Sequence, residues 1–276
     1  APDQAGLRAA LEAEQQQLHS TRDAFDEVLK LLDLPEEVSD ISGHAYMVEE
    51  AVVGQQCTLE GYSWGDQVEV IGVVDSICYD QSSSFLRYQY PSRLPEHALA
   101  KMAETTRRVI GAIGLRNSTF NIEYFWDEST QRLSLLEINS RHSQSHAGVF
   151  RWVDGMPNHL AMMDLATGRR PHMPQGKGEY AIAAKWMLRR FADGLVLRVP
   201  SAAEVKVVEQ QFPAVRITIA AKEHQRLSDM EAQDSYSFML AEIVVAGKSE
   251  RELQSIYDAC CNALVFTIED DLEEQC

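Results

Sequence analysis

The sequence predicts an α+β fold whose strands pair mainly antiparallel, and three observations support that class. The chain has 276 residues, of which 45% are hydrophobic, and this is enough for one large domain or two small ones. Segments in which apolar and polar residues alternate are joined by short turns, as in hairpins. Segments with helical periodicity stand between groups of these strands.

The composition excludes several classes of partner. Lys and Arg total 25 against 42 Asp and Glu, and the formal net charge of −17 repels nucleic-acid phosphates and anionic membranes. No apolar run approaches the ~18–20 residues of a membrane helix, and the N-terminus lacks a signal-peptide pattern. The five cysteines are odd in number and lack CxxC spacing, which is typical of free thiols in a reducing compartment. We expect a cytoplasmic metabolic protein without nucleic-acid or membrane partners, and a homo-oligomer stays open.

The first third of the chain begins with a predicted helix and continues with strands. Residues 4–34 are predicted to be helical, because their apolar residues recur at helical spacing before a proline. Strands are predicted at residues 46–53, 57–64 and 67–75, and a Gly-Asp turn joins the last two into a hairpin. Residues 79–93, rich in Ser, Tyr and Arg, are predicted to form an irregular loop.

The middle of the chain contains the clearest helix, residues 95–114, which has an apolar stripe, a proline near its start and a glycine at its end. Two strands follow, at residues 119–126 and 132–139, joined by a polar turn. After a polar loop, residues 157–167 are predicted to form a helix. The glycine- and proline-rich residues 168–178 are predicted to form a linker.

Beyond this linker the pattern predicts a small α+β subdomain with a sheet of its own. Its predicted strands are residues 180–191, 205–208, 215–221 and 238–246, and its predicted helix is residues 249–264. The acidic end of the chain is expected to fray.

The strongest chemical signal is a set of acidic and amide side chains on two neighbouring strands. Glu137 and Asn139 are two residues apart, so a strand points both to one face, and Glu123 lies in the strand before them. A carboxylate in an apolar strand is costly unless it meets a cation or a donor, and such oxygen ligands suit Mg²⁺. Arg141, just beyond, is suited to hold a phosphoryl or carboxylate oxygen. The alternatives are a solvated sheet face for the acids and an ordinary surface position for the arginine.

Residues 137–141, with the sequence Glu-Ile-Asn-Ser-Arg, resemble the signature of ATP-grasp enzymes, which is glutamate, apolar residue, asparagine, any residue, arginine. Glu123 stands one strand earlier, where that family has its other metal-binding acid. Residues 48–54 resemble the family's hinge, which holds adenine through main-chain groups. The resemblance spans residues 46–171 and implies an ATP-grasp catalytic core of mainly antiparallel sheet with helices.

The resemblance implies a role for each residue of the acidic set. Glu123, Glu137 and Asn139 would bind Mg²⁺, or Mn²⁺ in its place, bridging the phosphates of ATP. Arg141 would stabilise the transferred phosphoryl group or an acyl-phosphate. The implied reaction is the ATP-dependent activation of a small-molecule carboxylate as an acyl-phosphate, for attack by an amine of the amino-acid or peptide type.

The resemblance also implies a nucleotide site. The Glu49 carbonyl and the Val52 amide would bind the adenine edge. The family usually holds the ribose with an acidic residue, and here the Gln56 amide is expected to take that role. In the biotin-carboxylase branch a glutamate acts as base in the loop after the arginine, but Ser145 stands at that place. This departure disfavours bicarbonate chemistry and favours a carboxylate–amine ligase.

The upstream part of the chain departs further from the family. Family members carry a phosphate-binding lysine and a glycine-rich loop before the hinge, whereas only the predicted helical segment stands there in this chain. We therefore expect a fragment of a longer enzyme, with residues 1–44 a helical remnant of the upstream subdomain, residues 45–170 the catalytic core and residues 171–276 a C-terminal α+β subdomain. Two alternatives stay open: a non-catalytic ATP-grasp-derived binding or assembly module, and a biotin-carboxylase-like carboxylase.

The sequence allows more than one role for each of four polar residues. His142 and His146 would be able to bind zinc, but their loop lacks a third obvious ligand, so substrate contact or a surface position is favoured. Arg87 would either approach phosphates or a substrate carboxylate, or lie in solvent. Lys185 lies on a strand face that would either close over the active site or point outward.

Overall fold

The computed structural model describes Gln4, Gly6 and Arg8, residues 49–230 and residues 237–270. The chain divides into two units, Ala1–Ala51 and Val52–Cys276. Most of the predicted helix at residues 4–34 lies outside the described residues, and the three described positions within it are helical. No helix among the described residues has the length and apolar character needed to cross a membrane.

A large antiparallel sheet dominates the second unit. Its strands, in chain order, are β1 (Gln55–Trp64), β2 (Gln67–Cys78), β3 (Phe85–Tyr90), β4 (Thr119–Asp127), β5 (Arg132–Asn139), β6 (Ile182–Arg190), β8 (Val215–Ile219) and β9 (Phe238–Gly247). From edge to edge the order is β5-β4-β1-β2-β3-β6-β9-β8, and every neighbouring pair is antiparallel. A second sheet of two strands pairs β7 (Leu195–Arg198) with β10 (Thr267–Glu269).

Helices pack on both faces of the large sheet. They are α1 (Glu96–Ile113), α2 (Ala147–Asp154), α3 (His159–Ala166), α4 (Ala202–Gln211) and α5 (Glu250–Ala263). On one face α1 buries Met102 and Ile110 against strand residues such as Ile122, and Tyr257 of α5 stacks on Trp186. On the other face α2 buries Phe150 beside Tyr90 and Ala183, and each such buried side chain contributes about 1.5–3 kcal/mol.

The fold class and several elements agree with the sequence. The α+β class with a mainly antiparallel sheet is confirmed. The clearest predicted helix is α1, which follows Pro95 and ends where Gly114 takes the left-handed conformation (φ 69°). The predicted hairpin is also confirmed, because β1 and β2 are antiparallel and the ladder closes at Trp64 opposite Gln67. The strands β4, β5, β6, β8 and β9 and the helices α3 and α5 also lie where the sequence predicts them.

Three predicted elements are wrong. Of the strand predicted at residues 46–53, the described residues 49–53 are irregular. Gly54 has a φ of 128°, which interrupts an extended chain. The ladder of β1 with β4 begins only at Gln55, so the residues before it have no partner in β4. The loop predicted at residues 79–93 contains β3, whose aromatic and aliphatic residues suit a strand that pairs on both sides. The strand predicted at residues 205–208 belongs to α4, because Ser201 and Glu204 form a capping box that starts a helix.

The prediction of a separate C-terminal sheet is also wrong. In β6, Ala183 pairs with Tyr90 and Trp186 pairs with Arg87 of β3, so the sheet continues across the irregular segment that precedes β6. A continuous ladder satisfies the backbone groups of β3 and β6, which would otherwise be exposed strand edges. The domain boundaries at residues 44/45 and 170/171 stay predictions.

Candidate functional site

Polar side chains occupy one face of the sheet where β1, β4 and β5 lie together. Glu123 is directly opposite Glu137, and Asn121 is directly opposite Asn139. Directly opposite residues of an antiparallel pair point to the same face, so these four side chains share one surface. The alternating residues of β4 pack against α1 on the other face, which fixes the direction of the polar set.

A one-residue shift in the ladder brings the two acids together. Next to the hairpin turn, Trp126 pairs with Leu133 and Tyr124 pairs with Leu135, but Glu123 then pairs with Glu137. Leu136 is therefore an extra residue in β5, which is the outermost strand of the sheet. Bulges of this kind occur at sheet edges and beside functional sites, where they redirect side chains.

The two asparagines of the set form a chain of hydrogen bonds. Asn121 donates from Nδ2 to the backbone carbonyl of Arg141 (2.8 Å), and Asn139 donates from Nδ2 to Oδ1 of Asn121 (3.2 Å). These bonds fix the orientation of both amides, so that Oδ1 of Asn139 is the oxygen left to bind a ligand. The same chain holds Arg141 close to the acids.

Glu123 lies half-buried in a setting that disfavours its negative charge. Burial raises the pKa of Glu123 above its ordinary value, and the negative charge of Glu137 adds to that rise. A hydrogen bond from Nε2 of Gln56 to Oε2 of Glu123 (3.0 Å) lowers the pKa and partly offsets the rise. Two neighbouring carboxylates of this kind favour a cation between them.

The loop of residues 140–146, here called the site loop, is anchored to the sheet by a buried carboxylate. Glu60 of β1 is fully buried, and its Oε1 lies 2.8 Å from Nδ1 of His146. The backbone N–H of Ser143 donates to both oxygens of Glu60, at 3.0 and 3.3 Å. Asn158 adds a bond from its Nδ2 to the Ser143 carbonyl (2.7 Å). The loop is thus held at three points.

The polar face and the site loop enclose a cavity of about 250 Å³. It is lined by residues from five strands and the loop, namely Thr58, Ser76, Phe85, Tyr88, Asn121, Glu123, Asn139, Arg141, Ser143, Gln144, Ser145 and His146. The ring of Tyr88 meets the ring of His146 edge-on, with centroids 4.9 Å apart. The cavity therefore presents oxygen ligands, a guanidinium and an imidazole to one small space.

The structure brings together part of the predicted site. Glu123, Asn139 and Arg141 line the cavity, and Glu137 lies exposed across the ladder from Glu123. Gln56 contacts Glu123 through its amide.

The predicted adenine contacts lie in different units of the chain. Glu49 is exposed in the first unit, and Val52 is half-buried in the second. Their roles, like those of the acids, Arg141 and Gln56, stay predictions.

Glu60, Asn121 and Tyr88 lie at the site but were not predicted from the sequence. Glu60 carried the same signal as Glu123, a carboxylate in a strand of otherwise mainly uncharged residues, and two-residue spacing places it on the face of Gln56 and Thr58. Asn121 is likewise two residues from Glu123. Tyr88 had no signal, because β3 itself was not predicted.

The residues with open roles now have places in the fold. Arg87 lies on the opposite face of the sheet, over the ring of Trp186. Lys185 forms an ion pair with Glu242 (2.6 Å).

Among the described residues, His142 and His146 do not gather with acids or thiols into a zinc site. The rings of His142 and His159 are 4.8 Å apart, and burial, followed by the nearness of His159, lowers the pKa of His142. Within the described part of the chain, no group of three or more His, Cys, Asp or Glu side chains is placed to hold a metal ion. The set on β4 and β5 offers two carboxylates and the amide oxygen of Asn139, so a metal there would need phosphate or water oxygens as further ligands.

Comparisons with known proteins show the family and the fold of the chain. The family described as the ATP-grasp domain matches residues 10–148, half of the chain. No curated protein matches the chain in sequence.

Solved structures of low sequence identity share the fold. Phosphoribosylglycinamide synthetase from Anaerococcus prevotii aligns with a TM-score of 0.64 and 13% identity, over 80% of this chain and 55% of that one. L-amino acid ligase from Bacillus licheniformis aligns with a TM-score of 0.62 and 14% identity, over 79% and 52%. The biotin carboxylase domain of Hydrogenobacter thermophilus 2-oxoglutarate carboxylase, solved with MgADP and bicarbonate, aligns with a TM-score of 0.57 and 14% identity, over 78% and 46%. This chain spans about half the length of these structures, and it belongs to the ATP-grasp family.

Proposed function

We propose that this chain is the catalytic part of an ATP-dependent ligase that joins a carboxylate to an amine. The observation that carries the proposal is the pairing of Glu123 with Glu137 on one sheet face, with Asn139 and Arg141 beside them. Two carboxylates on one face are unfavourable without a bound cation. Their presence is better explained if the face binds a cation together with phosphates. The fold is shared with phosphoribosylglycinamide synthetase and L-amino acid ligase, whose names agree with this chemistry.

The oxygen set fits Mg²⁺. Glu123 and Glu137 supply two carboxylates whose mutual repulsion a cation would relieve, and the hydrogen-bonded amide of Asn139 has Oδ1 left to coordinate. We infer that these three residues hold the metal and that Mn²⁺ would be accepted in its place, because both prefer oxygen ligands. When bound, the metal neutralises the phosphate oxygens and helps to orient the phosphoryl group.

Arg141 is placed to bind the transferred phosphoryl group. Arg141 is exposed at the cavity, and its Nη1 makes a long hydrogen bond to the His142 carbonyl (3.5 Å). Its backbone carbonyl is held by Asn121, so the residue is anchored while its side chain is able to bind an anion. A guanidinium suits the oxygens of a phosphoryl group or an acyl-phosphate because it donates two parallel hydrogen bonds.

The nucleotide base is assigned to the segment before β1 and the ribose to the start of β1. We propose that the Glu49 carbonyl and the Val52 amide bind adenine and that Gln56 binds the ribose. Gln56 already donates to Glu123, so its amide would connect the ribose to the metal site. The domain division at residues 44/45 and 170/171 belongs to the same proposal.

The substrates are proposed to be a small carboxylate and an amine of the amino-acid or peptide type. Ser145 lines the cavity at the place where the biotin-carboxylase branch has a glutamate, which favours an amine over bicarbonate. A cytoplasmic location is proposed as well, and the free thiols of Cys57, Cys78 and Cys260 fit a reducing compartment.

The test is ADP release by the full-length protein in the presence of MgATP and pairs drawn from the twenty L-amino acids. We expect release that requires one carboxylate and one amine together and that stops when EDTA removes the metal. Mass spectrometry of the mixture should show a dipeptide or amide. A folded protein that binds ATP but releases no ADP with any pair would favour the non-catalytic binding module instead.

A further inference from the structure

We propose that His146 is the general base of the ligation step and that Glu60 orients it. This inference rests on the proposed function, since it assigns the proton acceptor for the attacking amine. Neither residue was among the predicted catalytic groups, and both lie on the cavity side of the sheet.

The geometry of the pair determines which nitrogen acts. Glu60 is fully buried, and a buried carboxylate is stable only where donors satisfy it, here the Ser143 N–H and Nδ1 of His146. Nδ1 therefore carries the proton that is shared with Glu60. The other nitrogen, Nε2, is left with its lone pair, and the ring lines the cavity. A carboxylate that fixes the tautomer of a histidine in this way is a known arrangement for a base.

Other groups around the cavity are poorly suited to accept the proton. The oxygens of Glu60 are occupied and out of reach, and Arg141 is a permanent cation. Glu123 faces Glu137 and is assigned to the metal. Tyr88 contacts the His146 ring, and burial raises the pKa of Tyr88, so its hydroxyl keeps its proton at neutral pH. His146 is the remaining nitrogen base in the cavity wall.

The step balances without any further reactant. The amine nitrogen forms a bond to the carbonyl carbon of the acyl-phosphate, and the bond from that carbon to the phosphate oxygen breaks, with its electron pair leaving on phosphate. The substrate enters as an ammonium and gives up two protons in becoming an amide. Nε2 of His146 takes one, and the other leaves on the hydrogen phosphate ion. Solvent then removes the proton from His146.

The experiment separates amine activation from the earlier chemistry. His146→Asn keeps an amide nitrogen where Nδ1 lies, so the bond to Glu60 is preserved while Nε2 is removed. Ligation to the best amine of the amino-acid panel should fall on the order of 100-fold or more. Hydroxylamine needs no base because it is largely unprotonated at neutral pH, so hydroxamate formation should stay within about threefold. His97→Asn, on the opposite side of the sheet near Trp126, is the matched control and should leave both rates unchanged.

Two results would overturn the inference while the proposed function stands. One is an equal loss of rate with hydroxylamine and with the amine, since this would indicate a role in folding or phosphoryl transfer. The other is a His146→Asn variant that ligates the amine at the wild-type rate. Wild-type protein that releases no ADP with any pair would overturn the proposed function itself.

A second variant keeps the test valid if His146→Asn does not fold. His146→Ala leaves space for free imidazole, and added imidazole should restore ligation to the amine, because the small molecule supplies the missing base. Circular dichroism should show the same spectrum with and without imidazole. Absence of rescue in a folded His146→Ala variant would contradict the proposal.

Discussion

At the scale of single residues, the main feature of the molecule is a pair of acids in direct cross-strand register. Glu123 and Glu137 occupy positions where like charges destabilise a sheet. Burial makes the cost larger for Glu123, whose pKa is raised in consequence. We therefore predict one effect on activity and one effect on stability when these residues are substituted.

The first prediction is that Glu137→Gln abolishes most turnover and leaves the fold intact. The amide keeps the size of the side chain but removes the charge that neutralises Mg²⁺, so turnover should fall by orders of magnitude. The measurement is amine- and carboxylate-dependent ADP release with excess Mg²⁺, together with circular dichroism. Glu104→Gln, at an exposed position on α1, is the control. Near wild-type turnover in the folded variant would remove Glu137 from the metal site.

The second prediction concerns the stability of the metal-free protein. The folded-state pKa of Glu123 is raised, so the free energy of unfolding falls as pH rises through the ordinary range of glutamate, about 4.3, towards the folded value. Glu123→Gln removes this loss. We expect the variant to unfold at a higher temperature than wild type at pH 7 in EDTA, with the difference shrinking below about pH 4. A variant less stable than wild type at pH 7 would show that Glu123 is stabilised as an anion.

At the scale of elements, a capping box explains why residues 205–208 are helical although their valines favour a strand. The box lies at the start of α4. The side chain of Ser201 accepts from the Glu204 N–H, and Glu204 accepts in return from the Ser201 N–H (2.8 Å). Hydrogen bonds from the backbone and hydroxyl of Ser201, together with one from Arg198, lower the pKa of Glu204 to about 2. Helix formation thus starts from polar contacts at its first turn.

The third prediction is that Ser201→Ala lowers the free energy of unfolding by about 1 kcal/mol, because one helix N–H loses its acceptor. Urea denaturation at pH 7 measures the change. Ser83→Ala, at an exposed loop position, should stay within about 0.5 kcal/mol of wild type. If both variants unfold at the same urea concentration, the cap does not stabilise α4.

The elements that were predicted correctly share local signals, and the missed ones depend on tertiary pairing. The start and the end of α1 are marked by the residues that flank it, Pro95 and Gly114. By contrast, the strand-forming residues of β3 are few and stand in a Ser-, Tyr- and Arg-rich stretch, and β3 is held as a strand by its pairing with β2 and β6 on either side. The same holds for the site. The spacing of Glu137 and Asn139 is local and was predictable, whereas the Glu60 contact with His146 joins residues 86 positions apart.

At the scale of the whole molecule, the eight-stranded sheet makes the second unit continuous. Strands from both sides of the irregular segment before β6 share one ladder, since β6 pairs with β3 and with β9. The polar face lies towards one edge of this sheet, and α2 packs on the same side. The proposed binding residues are therefore carried on the strands of one continuous sheet.

The fourth prediction is that residues 171–276 do not unfold as an independent domain. Because β3 and β6 exchange backbone hydrogen bonds, loss of the C-terminal strands would expose an open sheet edge. Far-UV circular dichroism and tryptophan fluorescence should report a single shared midpoint in urea, with Trp126 and Trp186 as probes from the two parts of the sheet. Two separated transitions would mean that the parts are independently stable.

The extra residue in β5 has a consequence for the face on which the motif lies. If the pairing next to the hairpin turn ran on without a bulge, Glu137 would face Ile122 and its side chain would turn into the layer beneath α1. A chain that lacks Leu136 needs no bulge, because Glu137 then falls opposite Glu123 in a regular ladder. It should therefore keep the rise in melting temperature that Mg²⁺ with an ATP analogue gives the parent, whereas loss of that rise would show that the bend at the bulge is itself required. The motif can be read from the sequence, but the direction of its glutamate depends on whether the ladder absorbs one leucine outside the motif.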